Sequence, residues 1–103
     1  MKQLDVCLTP ELLHLHKLDN SIVVVADIFR ATSCMVTGLA YGIKSITPVA
    51  SIEECKLLQD KGYIAAAERD AHKVEGFDLD NSPFSYMDER LIGSEVAMTT
   101  TNG

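Results

Sequence analysis

The sequence lacks the features that mark several common classes of protein. It has no tryptophan, and only 6% of its 103 residues are aromatic. Its longest apolar run, IVVVA from position 22, is far shorter than the roughly 20 residues that a membrane helix needs. Basic residues number 9 against 15 acidic ones, and the resulting charge of −6 argues against a nucleic-acid-binding surface. The opening residues, MKQLD, show no signal-peptide pattern, so we expect none.

Motifs for zinc, dinucleotides and P-loop phosphates are also missing. No CxxC, HExxH, GxGxxG or GxxxxGK[ST] pattern occurs. The cysteines, Cys7, Cys34 and Cys55, are odd in number and widely spaced, so they predict free thiols and a reducing, cytoplasmic location. The remaining composition, 47% hydrophobic and 23% charged, is typical of a globular domain, and the length predicts one domain over residues 1–103.

Alternating strand and helix patterns predict an α/β fold. Strands are predicted over residues 3–8, 21–28, 43–49, 63–67 and 95–99. Helices are predicted after Thr9 and Pro10, over residues 31–41, after a capping box of Ser51 and Glu54, and over residues 86–92. Residues 21–28 are apolar on both faces, as the central strands of parallel sheets are. We therefore predict a mostly parallel sheet with helices on both faces, a three-layer α/β/α arrangement that is an incomplete part of a larger fold.

Three polar clusters follow predicted strands, at the sheet edge where ligands bind in open α/β folds. In the first, DIFRATS at residues 27–33, a helix N-terminus and Arg30 suit a phosphate group. Asp27 can hold Mg²⁺, act as a base or attack phosphorus. The alternative is that Thr32 or Ser33 only caps the helix and that Asp27 orders the turn.

The other two clusters each allow two interpretations as well. The acidic loop that begins with Glu68 and Arg69 offers oxygen ligands for a divalent cation, or it is a solvated loop whose charges pair among themselves. The TTTNG run from Thr99 can cradle an anion with its hydroxyl and backbone N–H groups, or it is a β-branched strand running into a turn. Cys34, early in a predicted helix, is read as a small buried hydrophobe.

Taken together and in this order, three stretches resemble the 2-phosphosulfolactate phosphatase family. They are VVVADIFRATS at residues 23–33, AERDAHKVEGFDLDNSP at residues 67–83 and MTTTNG at residues 98–103. Ala67 and Asp80 depart from the family pattern, which usually has glycine at both positions. The resemblance implies a Mg²⁺-dependent phosphatase that hydrolyses the phosphate monoester of 2-phosphosulfolactate or a similar small anionic acid, in coenzyme M biosynthesis. Family members are longer, so we expect residues 1–103 to be the N-terminal half of a longer chain.

The resemblance also implies a role for each matching residue. Asp27 and Glu68 are the expected catalytic residues, and Mg²⁺ is expected on Asp27, Glu68 and Asp78. The expected substrate-binding residues are Arg30, Thr32, Ser33, Arg69, Asn81, Ser82, Thr100, Thr101, Asn102 and Gly103. The implied partners are a small phosphorylated anion and either further copies of the chain or the remaining half, with no nucleic acid and no membrane. The alternative is a catalytically incomplete α/β unit that binds anions or a partner chain without turnover.

Overall fold

A computed structural model describes residues 2–69 and 72–101. Within these two ranges there are two α-helices, α1 (Ala31–Ala40) and α2 (Ile52–Asp60). The strands are β1 (Ser45–Pro48), β2 (Ile64–Arg69), β3 (His72–Lys73) and β4 (Glu95–Thr99). Three short 3-10 helices cover Pro10–Leu15, Pro83–Tyr86 and Glu89–Leu91. Among the described helices, none combines the length and the apolar character needed to cross a membrane.

The sheet has the strand order β1-β4-β2-β3. β4 pairs in parallel with both β1 and β2, and only β3 is antiparallel to its neighbour. Because side chains alternate along a strand, β2 and β4 bury residues on both faces. Ala66, Val96 and Met98 pack in the cluster that contains Cys34 of α1, and Ala65, Ala67 and Ala97 pack in the cluster that contains Cys55 of α2. The predicted mostly parallel sheet with a helix on each face is confirmed.

Helix α1 packs closely because one of its residues has no side chain. A Cβ atom on Gly38 would lie 2.8 Å from Ile43 Cδ1 and 3.0 Å from Tyr86 Cδ1. The helix ends as predicted at Gly42, whose φ of +107° favours glycine. Helix α2 begins as predicted at Ser51, whose Oγ accepts a hydrogen bond of 3.1 Å from the backbone N–H of Glu54. Both helix predictions are confirmed.

Residues 2–30 do not form the two strands that the sequence predicts there. Neither residues 3–8 nor residues 21–28 form a strand, and no residue between 2 and 30 is buried. Ile22 and Val24 remain 95% and 84% exposed. A strand that is apolar on both faces needs a hydrogen-bonded neighbour and a covering layer on each side, and the described helices already cover other strands. The helix predicted after Thr9 is present as the exposed 3-10 helix Pro10–Leu15.

Residues 68–69 and 72–83 are more ordered than a plain loop. β3 folds back on the end of β2, and Leu79 forms a parallel bridge with Ala66. The predicted single helix over residues 86–92 is wrong. The chain instead forms two 3-10 helices, and Asp88 begins the second one by accepting a hydrogen bond from the backbone N–H of Arg90. This local side-chain bond competes with the backbone bonds that would continue one helix.

Candidate functional site

The carboxyl ends of β2 and β4 and the N-terminus of α1 lie at the same edge of the sheet. Helix α1 ends at the opposite edge, where the Gly93 N–H donates to Gly42 O over 2.8 Å and the Lys44 N–H donates to Ser94 O over 2.9 Å. Because α1 therefore runs antiparallel to the strands, the turn over residues 27–30 that precedes it is at the carboxyl edge. This is the edge where open α/β sheets bind ligands.

At that edge, hydrogen bonds join the ends of β2 and β4. Glu68 Oε1 accepts from both the Oγ1 and the backbone N–H of Thr101, at 2.8 and 3.2 Å. Arg69 Nη2 donates to Thr99 Oγ1 at 3.1 Å, and Arg69 Nη1 donates to Glu68 O at 2.7 Å. The structure thus brings the predicted residues Glu68, Arg69 and Thr101 together. We call these three residues and Thr99 the strand-end cluster.

Positive charge is available at this edge for an anion. Among the described residues, neither Arg30 nor Arg69 forms an ion pair with a carboxylate. Arg69 is half-buried and uses two of its five N–H groups in the bonds described above, whereas Arg30 is exposed. An arginine in this state can offer its remaining donors to phosphate oxygens in a planar, bidentate arrangement.

The turn before α1 uses the hydroxyl groups that were predicted to bind substrate. The Asp27 N–H donates to Thr32 Oγ1 at 2.7 Å, the Thr32 N–H returns a bond of 2.8 Å to Asp27 O, and Ser33 Oγ donates to Ile28 O at 2.7 Å. Thr32 and Ser33 therefore help to order the turn. Neither is the N-cap of α1, which is Arg30, so the capping role of the alternative interpretation is not the one that these hydroxyl groups take. No hydrogen bond or ion pair occupies the half-buried carboxylate of Asp27 within residues 2–69 and 72–101.

A second loop lies against this turn and holds two of the predicted residues. The buried thiol of Cys34 donates to Asn81 Oδ1 at 3.6 Å. Ser85 Oγ and the Ser82 N–H donate to Asp80 Oδ1 at 2.7 and 2.9 Å. Cys34 lies in the first turn of α1, and Arg30 is the N-cap of that helix. The contact with Cys34 therefore places Asn81 and its neighbour Asp80 beside the N-terminus of α1.

The ionisation of this loop follows from its contacts. Burial alone would raise the pKa of Asp80, but the bonds from Ser85 and Ser82 and the positive charge of Arg30 outweigh it, so the pKa of Asp80 lies below its usual value. Burial raises the pKa of the Cys34 thiol to about 11. Cys34 is therefore a neutral donor at pH 7, and its burial agrees with the prediction of a small buried hydrophobe.

Asp78 lies at the other edge of the sheet. Its Oδ2 accepts from the Ala65 N–H at 3.0 Å and from Gln59 Nε2 at 3.4 Å, at the start of β2 and the end of α2. Glu68 is three residues further along β2, about 10 Å at the rise of an extended strand. The structure does not bring the predicted Mg²⁺ ligands Asp27, Glu68 and Asp78 together, and no group of three potential ligands occurs among the described residues. The described residues therefore do not fit the predicted metal site.

Of the predicted terminal turn, the structure describes Thr100 and Thr101. Thr100 Oγ1 is buried and has no hydrogen-bond partner within the part of the chain that the structure describes. Asn102 and Gly103, both predicted to bind substrate, lie outside the described residues. Sequence reasoning assigned no binding role to Asp80 and Ser85. It named Thr99 as the first residue of the hydroxyl-rich run, but it did not include Thr99 among the substrate-binding residues implied by the resemblance.

Comparisons with known proteins agree on one family. A family model described as 2-phosphosulpholactate phosphatase matches residues 7–103. A protein of Caldicellulosiruptor saccharolyticus, named "probable 2-phosphosulfolactate phosphatase", is 49% identical in an alignment 88 residues long, which covers 84% of this chain and 36% of that relative. A Clostridium tetani protein of the same name is 40% identical in an alignment 103 residues long, which covers 97% of this chain and 44% of the relative.

The match covers nearly all of this chain but less than half of each relative. A third protein of the same name, from Clostridium perfringens, is 39% identical in an alignment 107 residues long, which covers 98% of this chain and 43% of that relative. The family match spans both the turn before α1 and the strand-end cluster. The chain belongs to the 2-phosphosulfolactate phosphatase family.

Proposed function

We propose that this chain carries the anion-binding part of a phosphatase site for 2-phosphosulfolactate or a similar small anionic acid. One observation carries the proposal: Glu68, Arg69, Thr99 and Thr101 are joined at the carboxyl edge of the sheet, at the same edge as the N-terminus of α1. The names of the relatives support the choice of a phosphate monoester as substrate.

The reaction transfers a phosphoryl group to water. The water oxygen bonds to phosphorus while the ester P–O bond breaks, and the leaving oxygen takes up a proton. Arg30 and Arg69 bind the phosphate and sulfonate oxygens and balance the charge that spreads over the phosphoryl group. Asp27 either accepts a proton from the attacking water, or it displaces the ester oxygen itself and water then hydrolyses the aspartyl phosphate that forms. Both roles suit a carboxylate that has no hydrogen-bond or ion-pair partner among the described residues.

The proposal keeps three further expectations from the sequence, of which the first and the third rest on the resemblance. The first is a requirement for Mg²⁺, to which we assign no step because the described residues do not form its predicted site. The second is a cytoplasmic location, which is supported by the free thiols of Cys7, Cys34 and Cys55. The third is a place in coenzyme M biosynthesis, for which the substrate in the relatives' names is the support.

The test is phosphate release from 2-phosphosulfolactate, with Mg²⁺ and with a chelator. We expect Asp27→Asn and Arg69→Met to lower the rate by about 100-fold or more, because each removes a group that acts on the transferred phosphoryl group. Asp60→Asn is the matched control, since Asp60 is an exposed carboxylate at the other end of the molecule. Equal rates in all four proteins would contradict the proposed site.

A second function is favoured by one observation. No residue between 2 and 30 is buried, although this part of the chain supplies Asp27 and Arg30. The chain would then be a catalytically incomplete unit that binds anions or another chain, either a further copy or the rest of the family's length. A folded chain that binds inorganic phosphate but releases none from the ester would support this second function over the first.

A further inference from the structure

We propose that Thr99 is a positioning residue, which holds the guanidinium group of Arg69 in the orientation that binds phosphate. The inference rests on the proposed function, because it takes Arg69 to be a phosphate-binding residue. It extends that function to a side chain to which the resemblance assigns no binding role.

The hydroxyl group of Thr99 lies in surroundings that are otherwise apolar. Thr99 is 2% exposed, and residues 96–98, which precede it in β4, are apolar and buried as well. Valine has nearly the same size and also favours strands, so packing alone does not require a hydroxyl group at this position. A buried hydroxyl group costs free energy unless it has a hydrogen-bond partner. The reason for threonine here therefore lies in its partner.

That partner is Arg69, and the register of the sheet brings the two side chains together. Ala67 of β2 is paired with Thr99 of β4 in the parallel ladder. Because side chains alternate along a strand, Arg69 lies on the same face of the sheet as Ala67 and Thr99. Thr99 Oγ1 accepts the hydrogen bond of 3.1 Å from Arg69 Nη2 across the ends of the two strands.

The hydrogen bond to Thr99 completes a two-point support for the guanidinium group. Arg69 Nη1 donates to the backbone oxygen of Glu68 at 2.7 Å. A group that is held by this bond alone can still turn about it, and the bond from Nη2 to Thr99 prevents that motion. The other three N–H groups of the planar guanidinium keep a fixed direction. Phosphate then binds with a smaller loss of side-chain freedom, so Thr99 assists binding through Arg69.

The experiment measures the binding of inorganic phosphate by calorimetry and, in parallel, phosphate release from 2-phosphosulfolactate. We expect Thr99→Val to weaken phosphate binding by about 3- to 10-fold, the effect of leaving one long side chain free to move. The value of kcat/KM for the ester should fall by the same factor. Thr99→Ser keeps the hydroxyl group and should restore both quantities.

A double variant separates positioning from a purely structural role. Arg69→Lys keeps a positive charge but removes the planar group whose direction Thr99 fixes. Adding Thr99→Val to Arg69→Lys should therefore cause no further loss of phosphate binding, because the two residues act as one unit. A further loss as large as that in the natural protein would overturn the proposal, since Thr99 would then support the strand end and not Arg69.

Thr47→Val is the matched control for the loss of a strand hydroxyl group. Thr47 is a partly buried threonine of β1, and β4 separates β1 from β2. This variant should bind phosphate as the natural protein does, and equal effects of Thr47→Val and Thr99→Val would overturn the proposal.

The two measurements also distinguish this inference from the proposed function. If Thr99→Val weakens phosphate binding but the natural protein releases no phosphate from the ester, the positioning role stands and the proposed function fails. If the natural protein hydrolyses the ester and Thr99→Val has the same phosphate affinity and the same kcat/KM, the positioning role fails and the proposed function stands.

Discussion

At the scale of single residues, the candidate site depends on a few polar side chains with defined partners. Glu68 accepts two bonds from Thr101, and Arg69 donates to Thr99, so the end of β2 is tied to the end of β4. Asp80 orders the loop beside α1 by accepting hydrogen bonds from Ser82 and Ser85. Bonds to a charged acceptor are stronger than bonds between neutral groups. The charge of Asp80 should therefore make a measurable contribution to the free energy of unfolding.

We expect Asp80→Ala to lower the free energy of unfolding by about 1–2 kcal/mol at pH 7, because two donors lose their charged acceptor. The folded-state pKa of Asp80 is lowered, so its contribution is present above the unfolded pKa near 3.8 and is lost as the pH falls through the lower folded pKa. Urea unfolding at pH 7 and at successively lower pH measures the difference between the two proteins.

Asp80→Asn is the conservative variant, because it keeps an acceptor oxygen and removes the charge. It should lose less stability than Asp80→Ala at pH 7, and its difference from the natural protein should shrink below pH 4 as Asp80 takes up a proton. A difference that stays constant with pH would show that the charge of Asp80 contributes nothing.

At the scale of elements, short sequence signals determined where the regular structure begins and ends. Ser51 marks the start of α2, because its side chain accepts a hydrogen bond from the backbone N–H of Glu54. Gly42 marks the end of α1, because its positive φ favours glycine. The predicted helix over residues 86–92 is wrong because Asp88 interrupts it with a local bond to Arg90. Capping bonds are local in the same sense, and their effect on one helix can be measured directly.

We expect Ser51→Ala to lower the free energy of unfolding by about 1 kcal/mol, because the N–H of Glu54 loses its side-chain acceptor. The midpoint of urea unfolding reports the loss. Ser51→Asp is the control, since aspartate caps helices about as well as serine, and its midpoint should stay close to that of the natural protein. If alanine and aspartate gave the same midpoint, the cap would not contribute to stability.

At the scale of the whole molecule, one sheet separates two apolar clusters. Cys34 lies in the cluster under α1, Cys55 lies in the cluster under α2, and both are fully buried. β2 and β4 contribute residues to both clusters, so neither cluster can open without disturbing the same strands. The two clusters should therefore unfold together, although residues 22–29 lie outside both of them.

Thiol labelling tests this cooperativity. At pH 8, Cys7 should react at once, while Cys34 and Cys55 should react slowly and at the same rate, because both become accessible only on unfolding. Mass spectrometry of the labelled peptides separates the labelling rates of the three cysteines, and clearly unequal rates for Cys34 and Cys55 would show two independent units.

The stability of the protein should also depend on the ionisation of Cys34. The pKa of Cys34 is raised to about 11 from 9.0, so its contribution to stability is complete below pH 9 and is lost as the pH rises towards 11.

The sequence by itself determined the features that depend on neighbouring residues or on a simple repeat. Both α-helices, strands β1, β2 and β4, the two caps and the family resemblance could be predicted, because caps act within one turn and strand patterns alternate within a few residues. Only the tertiary structure decided which polar residues meet. It separated Asp78 from Glu68, because the chain returns beside β2 at Ala65 and not at its carboxyl end. It also left residues 21–28 without a strand, because a strand forms through neighbours and covering layers that lie elsewhere in a fold.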